Sequence, residues 1–426
     1  MRILFTVLPQ RSTFLYLVPM AWALRTAGHE VVVASSPSFC DTITQAGLTA
    51  VPVGREAADS RMLVARGVTE EIVEQYRAGL PPPYDFVDDP ARYAEWETTM
   101  HECAGGLETL KFENFFMLGG LIEFAQRWQP DLVVWHPWTV GAPIAAKACG
   151  AAHARMLFSV DVFGATRQHF LRLQAQQPPD YRYDPYFDWF SAYGRKYGFD
   201  ITEDMVTGQF TIDQFPRSLQ LEADGLDYVR TQYIPYGGRA VVPKWLQVPS
   251  ERPRVALTLG STATDMFNGY TVSLADVLAS LSELDIEVVA TVAEPEQAKL
   301  GTLPSNVRLV PYVPWHAIVP TCSAVIHHAG LATLATTARH PVPQLALHYH
   351  FDQPFLGRRL TEHGAGLDIH SSEVTGEGVR DSVRRLLEEP SFAQRAADLR
   401  DEIFALPTPN EAIGRIEELI VKHRTR

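Results

Sequence analysis

Two short apolar runs constrain this chain more than anything else in it: Ile-Leu-Phe-Thr-Val-Leu-Pro at residues 3–9 and Val-Ala-Leu-Thr-Leu-Gly at residues 255–260. Neither alternates with polar residues, the pattern of a strand covered on both faces and therefore of a parallel sheet between helices. After the first run, Leu17–Ala27 sets Leu17, Met20, Ala21 and Leu24 on one helical face, Gly28 closes the helix, and His29–Ala34 returns as a strand. Asp41–Ala46 reads as a further helix closed by Gly47, and Thr49–Val53 as a third strand. Loops this short demand a right-handed crossover. The second run is followed in the same manner by a helix at Leu274–Leu284, strands at Ile286–Thr291, Val307–Val310, Ala324–His327 and Gln344–Leu347, and a helix at Thr333–Arg339. Helices then follow at Glu377–Glu388, Ala393–Leu406 and Asn410–His423. The fold class expected is α/β, with two Rossmann-like doubly wound domains facing across a cleft and a ligand at the carboxyl ends of the strands.

The middle of the chain is less regular. Glu56 to about Gly105 is charge-rich, contains the Pro-rich stretch Leu80–Tyr84, and reads as a long loop with helical pieces, of a kind that often frames a ligand site and almost as often is solvated decoration. Pro130–Trp135 and His153–Phe158 are strands flanking a helix at Ala142–Ala148. Aromatic helices are expected at Arg167–Leu173, Tyr186–Tyr197 and Glu203–Phe210, with strand character resuming at Phe215–Leu221. The 426 residues are 46% hydrophobic and 20% charged, enough for large cores. Lys plus Arg less Asp plus Glu is 37 − 50 = −13, which argues against a nucleic-acid or anionic-membrane binder. Cys40, Cys103, Cys149 and Cys322 form no C-x-x-C pair, so neither a disulfide framework nor a zinc site is expected. Met1 leads straight into a strand, and the apolar runs fall short of the ~18 residues that span a bilayer. The expected location is the cytoplasm.

Three loops carry the candidate chemistry. In Val-Ile-His-His-Ala-Gly-Leu-Ala-Thr, residues 325–333, a buried strand ends at His327, small residues make a tight turn, and a helix opens near Thr333. A helix start with open N–H groups binds phosphate, and His328 adds a side-chain donor. Leu-Thr-Leu-Gly-Ser-Thr at 257–262 ends a neighbouring strand with further N–H groups and two hydroxyls. Phe351-Asp352-Gln353 pairs a carboxylate with an amide, suited to adjacent sugar hydroxyls. Taken singly, each is as consistent with an ordinary turn; together they suggest a nucleotide diphosphate bearing a sugar. Neither half opens with G-x-G-x-x-G, no Walker A is present, and no D-x-D triplet calls for a metal-bridged diphosphate. Stabilising the leaving diphosphate would then fall to the helix start and His328, with no metal and no resident cofactor.

On these residues the chain resembles the inverting, two-Rossmann-domain (GT-B) glycosyltransferases of actinobacterial antibiotic pathways that use TDP-deoxysugars. The resemblance rests on Leu17-Val18-Pro19, Ala27-Gly28-His29-Glu30-Val31, Ala46–Gly54, Pro130–Val133, Ala142–Ala146 and the 327–333 loop. Gly-Gln-Phe-Thr-Ile-Asp at 208–213 and Val-Val-Pro-x-Trp-Leu at 241–246 look most like the macrolide aminosugar and deoxysugar transferases, several of which work with a cytochrome-P450-like auxiliary protein. The resemblance implies a deoxysugar, aminosugars included, moved from a TDP-sugar to a hydrophobic natural-product aglycone. It divides the chain into an acceptor-binding domain at 1–215, a strand and linker at 216–252, a nucleotide-sugar domain at 253–407, and a terminal helix at 408–426 that crosses back. Donor contacts are implied for Gly260, Ser261, Thr262, Val313, Trp315, His328, Ala329, Gly330, Thr333, Asp352 and Gln353. The acceptor would lie among the aromatic helices of residues 165–200.

Three positions depart from the family pattern, in two places. Ala329 and Ala332 stand where glycine is usual, which is tolerable at negative φ. Thr13 occupies the position of the usual catalytic histidine, and a threonine hydroxyl is no general base near neutral pH. His136, after the strand Leu132–Trp135, is then the first candidate base, though a histidine hydrogen-bonded at a strand end is the commoner finding; Asp161 and His101 are weaker candidates. An acceptor acidic enough to need only positioning would dispense with a base. A non-catalytic nucleotide-sugar-binding homologue, or partner of another transferase, is the alternative that Thr13 raises.

Overall fold

The computed structural model describes residues 1–55, 90, 91, 93–260, 270–349 and 351–425. Seven strands form the first sheet: β1 Arg2–Thr6, β2 Glu30–Ser35, β3 Thr49–Pro52, β4 Leu132–Trp135, β5 Ala152–Met156, β6 Phe210–Asp213 and β7 Tyr228–Arg230. Their order is β3-β2-β1-β4-β5-β6-β7, and every pairing is parallel. Six strands form the second: β8 Arg254–Thr258, β9 Glu287–Thr291, β10 Val307–Val310, β11 Ala324–His327, β12 Gln344–His348 and β13 Gly366–His370, in the order β10-β9-β8-β11-β12-β13, again all parallel. Both orders reverse after their first strand. The switch points therefore fall at β1/β4 and β8/β11, and crevices open at the carboxyl ends there. The central strands are buried along their length, as β4 and β11 show, which is why they read as unbroken apolar runs.

Several elements differ from the sequence expectation. A single helix of 33 residues, Trp96–Trp128, replaces the end of the expected long loop. Its buried residues Leu107, Asn114, Met117, Leu118, Leu121, Ile122 and Ala125 follow a helical stripe, but Gly105, Gly106, Gly119 and Gly120 dilute the pattern. Gly120 is required by packing: a Cβ there would lie 2.5 Å from Gly54 N. Phe215–Leu221 is not a strand. Leu219 N bonds back to Pro216 O at 3.1 Å, so its buried apolar residues line a turn, while β6 begins earlier, after a helix of only Asp204–Thr207. Last, the helix Gln353–His363 and β13 complete the second sheet where no element was expected. The Pro-rich stretch at 80–84 lies outside the described residues.

The halves are joined twice. Gln232, just after β7, gives its N–H to Pro407 O at 2.8 Å and its side-chain amide to Leu406 O at 2.7 Å, so both crossings meet at one place. Arg339 of the second half reaches Tyr233 O at 3.0 Å beside them. The last helix, Ile413–His423, buries Ile413, Ile416, Leu419 and Ile420, packs near β5, and is tied to the first half by Arg424–Asp131 and Arg415–Asp227, each at 3.1 Å. No described helix is long and apolar enough to cross a membrane.

Candidate active site

The loops after β8 and β11 are neighbours because His327 pairs in register with Thr258. His327 is wholly buried, bonded to Gln344 Oε1 at 2.8 Å and accepting the Ala329 amide at 2.9 Å; burial, with the neighbouring His328 adding to it, depresses its pKa to about 3. It is a strut of the loop. His328 is partly exposed, and its imidazole lies between two glycines. A Cβ on Gly260 would come within 2.6 Å of His328 Cε1, and one on Gly330 would collide with Nε2. The absence of both methyls makes the slot in which this ring is held. The helix Leu331–Thr337 begins earlier than expected, with Gly330 as its cap, and the Thr333 amide already bonds to Gly330 O at 3.1 Å. The amides that open toward a ligand are thus those of Leu331 and Ala332, with the Thr333 side chain beside them. Ala329 departs from the expected backbone. Its φ is +61°, because the amide that His327 accepts must point back into the loop.

Around this loop stand the other predicted donor residues. Val313 is buried, and Trp315 donates its indole N–H to Thr337 Oγ1 at 3.0 Å, which fixes its ring against the helix Leu331–Thr337. Gln353 accepts the Tyr349 amide on Oε1 at 3.0 Å. Asp352 is 8% exposed and takes a hydrogen bond from Ser159 of the first half; burial pushes its carboxyl up to about 6. Ser261 and Thr262 lie outside the described residues.

The first half holds an apolar cavity to which the second half contributes one wall. Its walls include Leu107 and Leu110 of the helix Trp96–Trp128, Phe163 and Phe170 of the helix Val162–Ala175, Tyr186, and Phe351 from the second half. The helices of residues 165–200 supply only part of it. Cys103, Gly106, Leu107 and Leu110, spaced to share one helix face, are the wall that the sequence reading missed, and that spacing was its available signal. Arg167 lines the cavity with its charge already met by Glu203 and Asp184 at 2.7 and 2.6 Å. Burial raises the Cys103 thiol to about 12, so it is no nucleophile near neutral pH.

The candidate bases fare differently. Asp161 is held on all sides: Arg155 donates to both of its oxygens at 2.9 and 2.6 Å, Gly164 N and Tyr228 OH supply two further bonds, and it caps the helix Val162–Ala175. A carboxylate so saturated has no lone pair for a substrate. His136 is enclosed likewise. It is 1% exposed, accepts the Trp138 amide on Nδ1 at 3.0 Å, and stacks on Phe158 with centroids 4.7 Å apart. Burial holds its pKa at about 3, leaving it a poor proton acceptor. Thr13 is 7% exposed and gives its hydroxyl to Gln10 O at 3.1 Å. His101 is exposed and is not a wall of the cavity.

The fold and the paired sites have counterparts. Residues 22–260 match the family described as Erythromycin biosynthesis protein CIII-like, N-terminal domain, and residues 275–419 match its C-terminal domain. The chain is 41% identical to the 10-deoxymethynolide desosaminyltransferase of Streptomyces venezuelae over 100% of this chain and 98% of that protein. It is 39% identical to the aclacinomycin-T 2-deoxy-L-fucose transferase of Streptomyces galilaeus, over 100% and 97%. Among solved structures, the glycosyltransferase VinC in complex with dTDP superposes with a TM-score of 0.86 at 36% identity, covering 99% of this chain and 100% of that one. A two-sheet architecture, a small-residue loop clasping His328 and matches spanning both halves lead to one assignment: the chain belongs to the Erythromycin biosynthesis protein CIII-like family of GT-B glycosyltransferases.

Proposed function

We propose that the protein moves a deoxysugar, aminosugars included, from a TDP-sugar to a hydrophobic polyketide-type or aromatic aglycone in antibiotic biosynthesis, with inversion at the anomeric carbon. The observation that carries this is the pairing of His328, seated between Gly260 and Gly330 at one strand edge, with an apolar cavity across the cleft. The diphosphate would rest against His328, the Leu331 and Ala332 amides and the Thr333 hydroxyl, where charge develops as the glycosidic bond to phosphate breaks. Thymine would lie along Val313 and Trp315, and the sugar beside Asp352 and Gln353. The aglycone's nucleophile would attack from the cavity side in a single displacement. Relatives named for desosamine and 2-deoxy-L-fucose transfer, and a neighbour holding dTDP, support this substrate class.

With Thr13, His136 and Asp161 engaged elsewhere, rate enhancement rests on positioning and on stabilising the diphosphate, without a metal or resident cofactor. A cytochrome-P450-like auxiliary protein is part of the proposal as an activating partner; purification with such a protein should raise turnover. The primary test is thymidine diphosphate release with macrolactone and anthracyclinone aglycones, beside calorimetry with thymidine diphosphate. His328→Ala should weaken diphosphate binding roughly ten- to a hundredfold, the worth of one charge-assisted hydrogen bond. Unchanged affinity in that variant, or no release with any aglycone, overturns the proposal.

A further inference from the structure

Phe351 stands out in the second half for its backbone and its surroundings. Its φ is +60°, a region that bulky residues rarely occupy. Three of the rings that it meets belong to the first half. It stacks on Phe158 with centroids 5.9 Å apart and planes inclined by 2°. It meets Phe163 edge-on at 5.9 Å and Trp138 at 6.3 Å. It is also a wall of the acceptor cavity, and the next residue is Asp352, hydrogen-bonded to Ser159 across the cleft. One short segment of the donor half thus closes the acceptor cavity and carries the carboxylate beside the sugar.

We propose that Phe351 is a specificity-determining residue for the acceptor, contributed by the donor half. The inference rests on the functional reading above and extends it. A strained backbone maintained for one side chain points to a role for that side chain. The ring gives the aglycone a flat apolar surface continuous with Phe163, and its position relative to Asp352 fixes how far the aglycone stands from the anomeric carbon. Cavity shape at this wall therefore sets which aglycones present their nucleophile in line, while the diphosphate contacts, made by another loop, do not depend on it.

The test is Phe351→Gly. Glycine favours positive φ, so this variant removes the ring while relieving the backbone, and a melting curve beside the kinetics separates a loss of function from a folding defect. Phe351→Tyr keeps the stacking face as a second variant. Kinetics are measured with the aglycone that the unsubstituted enzyme uses best among the macrolactone and anthracyclinone panel, and with a bulkier and a smaller member of it. Phe351→Gly should lose roughly tenfold or more in kcat/KM for that aglycone and should narrow its preference over the bulkier one. Phe351→Tyr should stay within about threefold, a small fraction of the free energy that buries an aromatic ring. Thymidine diphosphate affinity by calorimetry should match the unsubstituted enzyme in both. Unchanged acceptor kcat/KM and preference in Phe351→Gly, or a parallel fall in diphosphate affinity, overturns the proposal and leaves the transferase reading standing. No turnover by the unsubstituted enzyme overturns both.

Discussion

Gly330 has φ −63° and ψ 135°, values that alanine adopts freely. What forbids a methyl there is the imidazole of His328. Gly330→Ala should therefore leave the thermal midpoint within about 2 °C, the shift that less than 1 kcal/mol produces in a domain of this size. It should weaken thymidine diphosphate binding roughly tenfold or more, through loss of one charge-assisted contact. Calorimetry beside a melting curve separates the two effects. Asp352 makes an opposite bargain. Its carboxyl is raised to about 6 from an ordinary 3.8. In that window the folded chain keeps a proton that the unfolded chain has released, so the associated stability is complete below 3.8 and disappears as pH climbs through about 6. At pH 7 a buried carboxylate remains. Asp352→Asn should raise stability there by up to about 3 kcal/mol, an advantage that fades below about pH 4, while transfer falls at least roughly tenfold. Denaturant titrations at pH 4 and pH 7, set beside turnover, check both signs. Ala329 shows the limit of residue-level reading: its type was legible, but its positive φ was not, because the constraint comes from His327 and Gln344 fixing the amide direction.

The strands were legible where burial is two-sided and local. The runs at β1, β4, β8 and β11 need no partner to be recognised, and the phosphate loop follows from small residues after such a run. The helix Trp96–Trp128 was not legible, because its four glycines lower local propensity and the close approach that requires one of them, Gly120, is to residue 54, far away in sequence. The acceptor wall was missed for the same reason. Leu107 and Leu110 become a surface only when the helix is laid against Val162–Ala175 and Phe351 arrives from the other half. That close approach gives an element-scale prediction. Gly120→Val should press on Gly54 N and cost about 1–3 kcal/mol, the usual penalty of overpacking, read as a lower urea midpoint. Gly119, exposed and with no atom within 4 Å of an added Cβ, should accept alanine with a small gain in stability of up to about 1 kcal/mol.

Across the whole molecule, the terminal helix fastens the last segment to the first sheet. Asp131 takes Arg2 N at 2.8 Å on one oxygen and Arg424 at 3.1 Å on the other, so a single carboxylate holds both extremes of the described chain. Leu419 is wholly buried in this seam, and Leu419→Ala should cost about 2–5 kcal/mol by leaving a cavity, seen as a lower melting midpoint with thymidine diphosphate contacts intact. The meeting of both crossings at Gln232 has a mechanical consequence. Two halves fastened along separate lines can slide, whereas two halves fastened at one spot swing like a door on a single pin. Phe351 and Asp352 ride on the same leaf as His328, so each swing would lift one wall from the aglycone's cavity and carry the nucleotide away within its own half, parting the two products in a single stroke.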